Sequence, residues 1–303
     1  MAAQSASTDS THASRWVCSV RLEGHQGAVY DLAAGRQGDV WSVGGDGLLV
    51  NWTRTKGQWT AQGVALAKVD EALFCVDLLS TGEVVAGGAS GGLILRTASD
   101  THILAGHEGG TFVLNGEHSG GADGRWKHWR TGKVEAELEG RIRSFCSQHG
   151  SDWCGTHDGW IREVGGEGRA QPLHEGSLRA MLPWPGKPVL GTVGGDGRLR
   201  IWRMADGEWH SVVDVDAHRG AVYRLEASPC GQWVATASRD RSVAIWNAAT
   251  LELEHRLAGP AVGGHTRSVN ALCWLDSDTL ASAGDDRRIH IWKREPLPPT
   301  ERD

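Results

Sequence analysis

Two residue types that usually help to fill a core are almost missing here: this chain of 303 residues has two Tyr and three Phe. Their rings cannot organise the interior, so any place where those five residues gather is informative. Long apolar runs are missing as well. No window approaches the roughly 18 apolar residues of a membrane-spanning helix, and residues 1–14, MAAQSASTDSTHAS, lack the apolar segment of a signal peptide. There is no excess of positive charge either. The net charge is −6 and the pI near 6.2, which leaves no electrostatic footprint for nucleic acid or an anionic membrane. Only six of the 31 basic residues are Lys, which favours planar, bidentate Arg contacts wherever the others cluster. Apolar positions at helical spacing persist over no stretch of 11 residues. The six cysteines (Cys18, Cys75, Cys146, Cys154, Cys230 and Cys273) are scattered, give no disulfide framework, and read as thiols buried in a cytoplasmic protein.

What the chain has instead is Gly, 42 of them, and Trp, 15. The two meet in GGDGLLVNW, Gly44 to Trp52, which returns almost unchanged as GGDGRLRIW, Gly194 to Trp202. Looser copies end at Trp129, Trp246 and Trp292. Each is a tight Gly/Asp turn, an alternating strand, and a Trp six residues after an Asp. Self-similarity at this interval is the mark of a repeat architecture. The steps between closing Trp residues are 77 and 73, each two units, then 44 and 46. That makes seven units of four short strands, punctuated by Gly, Asp and Pro.

In the first unit the spacing predicts inner strands over Ala28–Ala34, Asp39–Val43 and Leu48–Arg54, and an outer strand near Trp59–Ala65. Third strands of later units are expected near 92–97, 125–130, 160–164, 198–203, 242–247 and 288–293. The seventh unit supplies only three strands, and the following PLPPTERD cannot add one, so Trp16–Leu22 is expected to complete it from the N-terminus. Closing the ring this way leaves no long unpaired sheet edge. The expected organisation is a disordered tail over 1–14, one all-β seven-bladed propeller over 15–295, and a C-terminal tail over 296–303.

Five units carry a full set of side chains at fixed offsets. The sets are His25-Ser42-Asp46-Trp52, His107-Ser119-Asp123-Trp129, His174-Thr192-Asp196-Trp202, His218-Thr236-Asp240-Trp246 and His265-Ser282-Asp286-Trp292. Over about residues 16 to 294 the chain thus resembles the WD40-repeat family. The resemblance implies a seven-bladed propeller in which indole, hydroxyl, imidazole and carboxylate form one buried hydrogen-bonded chain per blade. Five Ser/His/Asp sets also look like hydrolase triads. Their repetition, the commitment of each hydroxyl to an indole and the lack of a nucleophile turn favour a structural role. Unit two departs from the pattern, with Ala86, Ser90 and Arg96 at the motif positions and no His before its inner strand. Unit four departs with Cys154 and Val164, keeps Asp158, and has Arg141 near the His position. These two blades are expected to be the less rigid.

Unit four also contains Cys146, His149, Cys154 and His157, a spacing that read alone invites zinc. The strand pattern places the two His at opposite ends of one strand, roughly 17 Å apart, so neither a metal nor another cofactor is expected. The GGDG turns precede strands rather than helices, which argues against phosphate cradles.

The positions five residues after each motif His, with units two and four aligned by strand pattern for want of that His, are the informative ones: Tyr30, Phe74, Phe112, Arg143, Arg179, Tyr223 and Asn270. By resemblance they point into the channel mouth on the narrower face, where family members commonly bind peptides. Both Tyr and two of the three Phe fall on this ring. Arg239, His157 and Asp285, just before or at the turn Asp, are expected to face the same mouth. A rim of aromatics with Arg suits an extended peptide bearing an aromatic or acidic side chain. The expected function is a non-enzymatic, cytoplasmic scaffold, monomeric within a complex, whose partners are other proteins rather than nucleic acid or membrane. An alternative is a propeller enzyme or metal or small-ligand binder using the central funnel, for which Asp285 alone is a thin carboxylate supply. A nucleic-acid-associated subunit conflicts with the net charge.

Overall fold

A computed structural model describes residues 14–60 and 62–297. The tail assigned to 1–14 lies outside them save for Ser14, and the C-terminal tail is described only as far as Leu297. Seven four-stranded antiparallel sheets are present, and no α-helix occurs among the described residues; one 3-10 turn spans Pro260–Val262. Six sheets run from the channel outward in chain order. The seventh joins Val269–Asp276, Thr279–Gly284 and Arg288–Pro296 to the N-terminal strand Ser14–Glu23, and the inner strand of blade 7 packs on that of blade 1.

Blades are held to one another by apolar seams. At the closure Val29, Val40, Val50 and Trp52 of blade 1 pack against Leu22, Ala271, Ala281, Ile289 and Ile291 of blade 7, all buried. At roughly 25 cal/mol per Å² of apolar surface removed from water, such seams are the main drive for closing the ring.

Two expected limits need correction. The outer strand of blade 1 is Val64–Lys68, not Trp59–Ala65. Trp59 belongs to a small hairpin in which Arg54 pairs with Trp59 and Thr55 with Gln58. Lys56 and Gly57 turn it at φ 52° and 79°, a left-handed two-residue turn that suits tight hairpins and delays the outer strand. The third strand of blade 7 runs on to Pro296, paired with Ser14, so the propeller extends one residue beyond each expected end.

One feature of the inner strands positions the site. Every one of the seven has a register shift at the same point: Val29/Asp31, Leu73/Cys75, Thr111/Val113, Ile142/Ser144, Leu178/Ala180, Val222/Arg224 and Val269/Ala271. An extra residue at a bulge is unpaired and re-aims its side chain. The close approach beside it needs small partners. A Cβ on Gly44 would lie 2.4 Å from the Ala28 carbonyl oxygen, and one on Gly284 would lie 1.9 Å from that of Ser268.

Candidate functional site at the channel mouth

The seven bulge residues are Tyr30, Phe74, Phe112, Arg143, Arg179, Tyr223 and Asn270, and together they line a cavity of about 450 Å³ with Arg224 and Asp285. Blades 1 to 3 give it an aromatic wall. Tyr30 meets Phe74 edge-on with centroids 5.5 Å apart, and Phe74 meets Phe112 at 5.6 Å. Blades 4 and 5 give it charge. The Arg143 guanidinium lies 3.9 Å over the Phe112 ring, and that of Arg179 lies 5.4 Å over Tyr223. Blade 7 closes the ring with Asn270, which donates to the Val29 carbonyl at 3.0 Å and to Asp285 at 2.7 Å.

Neither Arg143 nor Arg179 has an ion-pair partner among the described residues, and the Nε of each is buried without a hydrogen bond. Burial, with the charges of Arg179 and Arg141 alongside, pushes the Arg143 guanidinium down to about 10. Burial also lowers Arg179. Asp285, the one carboxylate at the mouth, is occupied by Asn270.

Two expected members of the rim are elsewhere. Arg239 is exposed, stays out of the cavity lining and lies against the turn at Gly220, where an added Cβ would come within 3.4 Å of its own Cβ. His157 is also exposed, and its Nδ1 accepts from the backbone N–H of Arg141 at 3.3 Å. Both sit on the same second-to-third turn as Asp285 does in blade 7, but only Asp285 joins the cavity lining, where it is held by Asn270.

Arg224 is a residue that strand alternation did not pick out. It follows the bulge at Tyr223, and the shifted register turns it into the channel, where it pairs with buried Asp31. It lines both the mouth and a second chamber of about 400 Å³ that also touches Phe112. This deeper chamber holds Asp31, Asp77, Glu226, Cys75 and Cys273. Burial pushes Glu226 up to about 7, with Arg224 opposing and Asp31 adding to the rise, and it pushes both thiols well up. The mouth is therefore cationic and the chamber beneath it acidic, with the Arg224–Asp31 pair between them.

The hydrogen-bonded sets lie in the blades, away from this cavity. In blade 1 the His25 Nδ1–H donates to Asp46 at 2.9 Å, Ser42 Oγ lies 2.8 Å from His25 Nε2, and the Trp52 indole donates to Ser42 at 2.8 Å. Blades 5, 6 and 7 repeat this through His174-Thr192-Asp196-Trp202, His218-Thr236-Asp240-Trp246 and His265-Ser282-Asp286-Trp292. Each donor has an acceptor, so the chain of bonds is buried with none stranded. Burial opposes the charge on Asp46, but His25 and the N–H groups of Gln26 and Leu48 hold its carboxyl below the usual range.

Blade 3 corrects the fourth member of its set. His107 reaches Asp123 at 2.7 Å and Ser119 at 2.9 Å, but the Trp129 indole donates to the Gly116 carbonyl at 3.0 Å instead of to Ser119. Its third strand ends at His128, one residue short of Trp129, and the two-residue turn Gly116–Glu117 carries a carbonyl into reach. Blade 2 uses Glu71, which accepts from the Ser90 N–H. Blade 4 uses Arg162, paired with Asp158 at 2.9 Å, and Thr156. In that blade Cys146 and Cys154 are buried, while His149 lies in the turn before Ser151–Thr156 and His157 just after it.

Among the described residues one group brings metal-ligand atoms within 4.8 Å of one another, His265, Asp286 and His290. The two imidazoles are stacked at 3.8 Å and 13°, so an ion in the plane of one ring lies off the plane of the other. The His265 Nδ1 proton is also committed to Asp286. This geometry suits packing better than coordination.

Four-stranded sheets set radially around a channel define a seven-bladed β-propeller. A family model described as "WD domain, G-beta repeat" matches residues 209–247 and 260–293, so WD40 repeats are present over that stretch of the propeller. The crystal structure of the WD40 β-propeller domain of Doa1 superposes with a TM-score of 0.74 at 19% identity, covering 93% of this chain and 97% of that one. Protein HIR1 of Kluyveromyces lactis is 29% identical over 36% of this chain and 16% of its own length. Probable cytosolic iron-sulfur protein assembly protein 1 of Sclerotinia sclerotiorum is 31% identical over 45% of this chain and 31% of its own. Ribosome biogenesis protein YTM1 of Chaetomium thermophilum is 37% identical over 28% and 19%. The matches thus span less than a third of the length of each of these curated relatives.

Proposed function

We propose that this propeller is a non-enzymatic interaction module, cytoplasmic and monomeric within a larger complex, that holds an extended peptide of a partner protein at its channel mouth. The observation that carries this reading is the composition of the mouth. Seven bulges aim seven side chains into one cavity, and they include both Tyr and two of the three Phe of the chain. Aromatic surface with a polar handle suits peptide recognition, and Arg suits acidic side chains. The names of the relatives, an iron-sulfur assembly protein and a ribosome biogenesis protein, fit a role in assemblies. The hydroxyls of the five Ser/His/Asp sets are engaged within the blades, which favours binding over hydrolysis.

The test is affinity purification with mass spectrometry of the wild-type chain beside Tyr30→Ala/Phe112→Ala/Arg179→Ala. Loss of a defined set of partners with unchanged melting supports the site. An unchanged set of partners removes it.

A further inference from the structure

The mouth is divided, and the division specifies a ligand. On one side Tyr30, Phe74 and Phe112 make a continuous edge-to-face and tilted wall. On the other, Arg143 and Arg179 come from adjacent blades, and each guanidinium lies over an aromatic ring, 3.9 Å from the centre of Phe112 and 5.4 Å from that of Tyr223. A guanidinium held by a ring keeps its N–H groups available, and among the described residues no acceptor takes those of Arg143 or Arg179.

Those N–H groups have no anion. The nearby carboxylates are committed, Asp285 to Asn270 and Asp31 to Arg224 at the floor. Two desolvated cations therefore stand side by side without a counter-charge, each with a buried, unpartnered Nε. A single carboxylate would neutralise one of them. A dianion with three acceptor oxygens would neutralise both and engage two forks at once.

We propose that Arg143 and Arg179 form a clamp for a phosphorylated side chain of a partner peptide, with the neighbouring peptide residue resting on Tyr30, Phe74 and Phe112. The proposal rests on the reading that the mouth receives a peptide, and adds the class of side chain it selects. A peptide is favoured over a nucleic acid because the clamp takes one phosphoryl group and the chain as a whole carries a net charge of −6, which opposes a polyanion.

The experiment uses the full chain and three immobilised degenerate peptide pools, centred on phosphoserine, on Glu and on Ser. At pH 7.5 the phosphoserine pool is expected to retain the protein about tenfold better than the Glu pool, with inorganic phosphate competing and acetate at equal ionic strength failing to compete. Arg143→Gln and Arg179→Gln should each abolish that preference with melting unchanged. The preference should shrink as pH falls through about 6, where the phosphoryl group takes up its second proton. Equal retention on the phosphoserine and Glu pools, lost in Tyr30→Ala/Phe112→Ala, would overturn the clamp while the peptide site stood. No retention on any pool would overturn both readings. Retention of a single-stranded oligonucleotide with the same dependence on both Arg would overturn the choice of a peptide.

Discussion

Blades 3 and 5 carry a hydroxyl, an Asp and a Trp at the same offsets, and they do not build the same thing. In blade 5 Thr192 accepts from the Trp202 indole at 2.8 Å and lies 2.7 Å from His174 Nε2. In blade 3 Ser119 serves His107 alone, and Trp129 is spent on the Gly116 carbonyl. The difference lies in the turn from inner to second strand. Blade 5 crosses from Pro183 to Leu190, whereas blade 3 turns in two residues between Asn115 and His118. Offsets along the chain place side chains on the right face, but the neighbouring turn decides which acceptor each donor finds.

The largest expected effect tests what both blades share. His174→Ala takes one partner each from Thr192 and Asp196, which keep Trp202 and Arg200, and should cost on the order of 1–3 kcal/mol, read as a fall in melting temperature. His107→Ala should cost slightly more, because Ser119 loses its only side-chain partner. An equal or smaller loss for His107→Ala would remove the distinction between the blades.

Blade 7 extends the comparison to pH. Its third strand places His290 against His265, with both imidazole nitrogens buried and unpartnered. Burial first, then the charges of His265, Arg21 and Arg288, push His290 down to about 3 from an ordinary 6.5, with Asp286 opposing. The unfolded chain takes up this proton as pH falls below about 6.5, and the folded chain does not until about 3. The contribution to stability is therefore complete above 6.5 and lost as pH falls toward 3. Between pH 7 and 5, His290→Val should flatten the dependence of unfolding free energy on pH by at most about 1.4 kcal/mol per unit. The motif Asp residues act in the same direction only at lower pH, and Glu226, raised to about 7, titrates alike in both proteins, so the difference between them reports His290. Denaturant titrations at four pH values in that interval would show it, and parallel curves for the two proteins would refute it.

Smaller again is the difference between Thr192→Val and Ser119→Ala. The first removes two hydrogen bonds and the second one, so the first should be more destabilising by about 1 kcal/mol. Opening the blade 3 turn to blade 5 length would sharpen the contrast. If the Trp129 indole then moved to Ser119, the penalty for Ser119→Ala should rise to match.

These comparisons mark what could be read in the sequence. The seven mouth residues were legible because a fixed step from the motif His lands on the bulge in five blades, and the strand pattern carries the same register to blades 2 and 4, which lack that His. Blade number and ring closure were legible because Trp spacing and a missing fourth strand constrain each other. Trp129 was not legible, since its partner is set by the length of a turn. Arg224 was hidden because strict alternation aims the residue after Tyr223 away from the channel, and the bulge reverses that. Arg239, His157 and Asp285 share one turn position, yet only Asp285 joins the cavity lining, because Asn270 beside it supplies a donor.

The mouth should respond in the opposite sense to the blades, and this is the smallest effect. Replacing a blade residue strands a partner, but replacing Arg143 removes a cation that has no partner and is repelled by Arg179. Lost stacking on Phe112, about 0.5–1 kcal/mol, is then offset by the repulsion released. Arg143→Gln should move unfolding free energy by no more than about 0.5 kcal/mol. The sign of the coupling is more diagnostic than either single value. Once Arg143 is gone, Arg179 has no repulsion left to relieve, so Arg179→Gln should be more destabilising in the Arg143→Gln background than in the wild type. A double-mutant cycle with zero coupling would mean that the two guanidiniums do not sense each other.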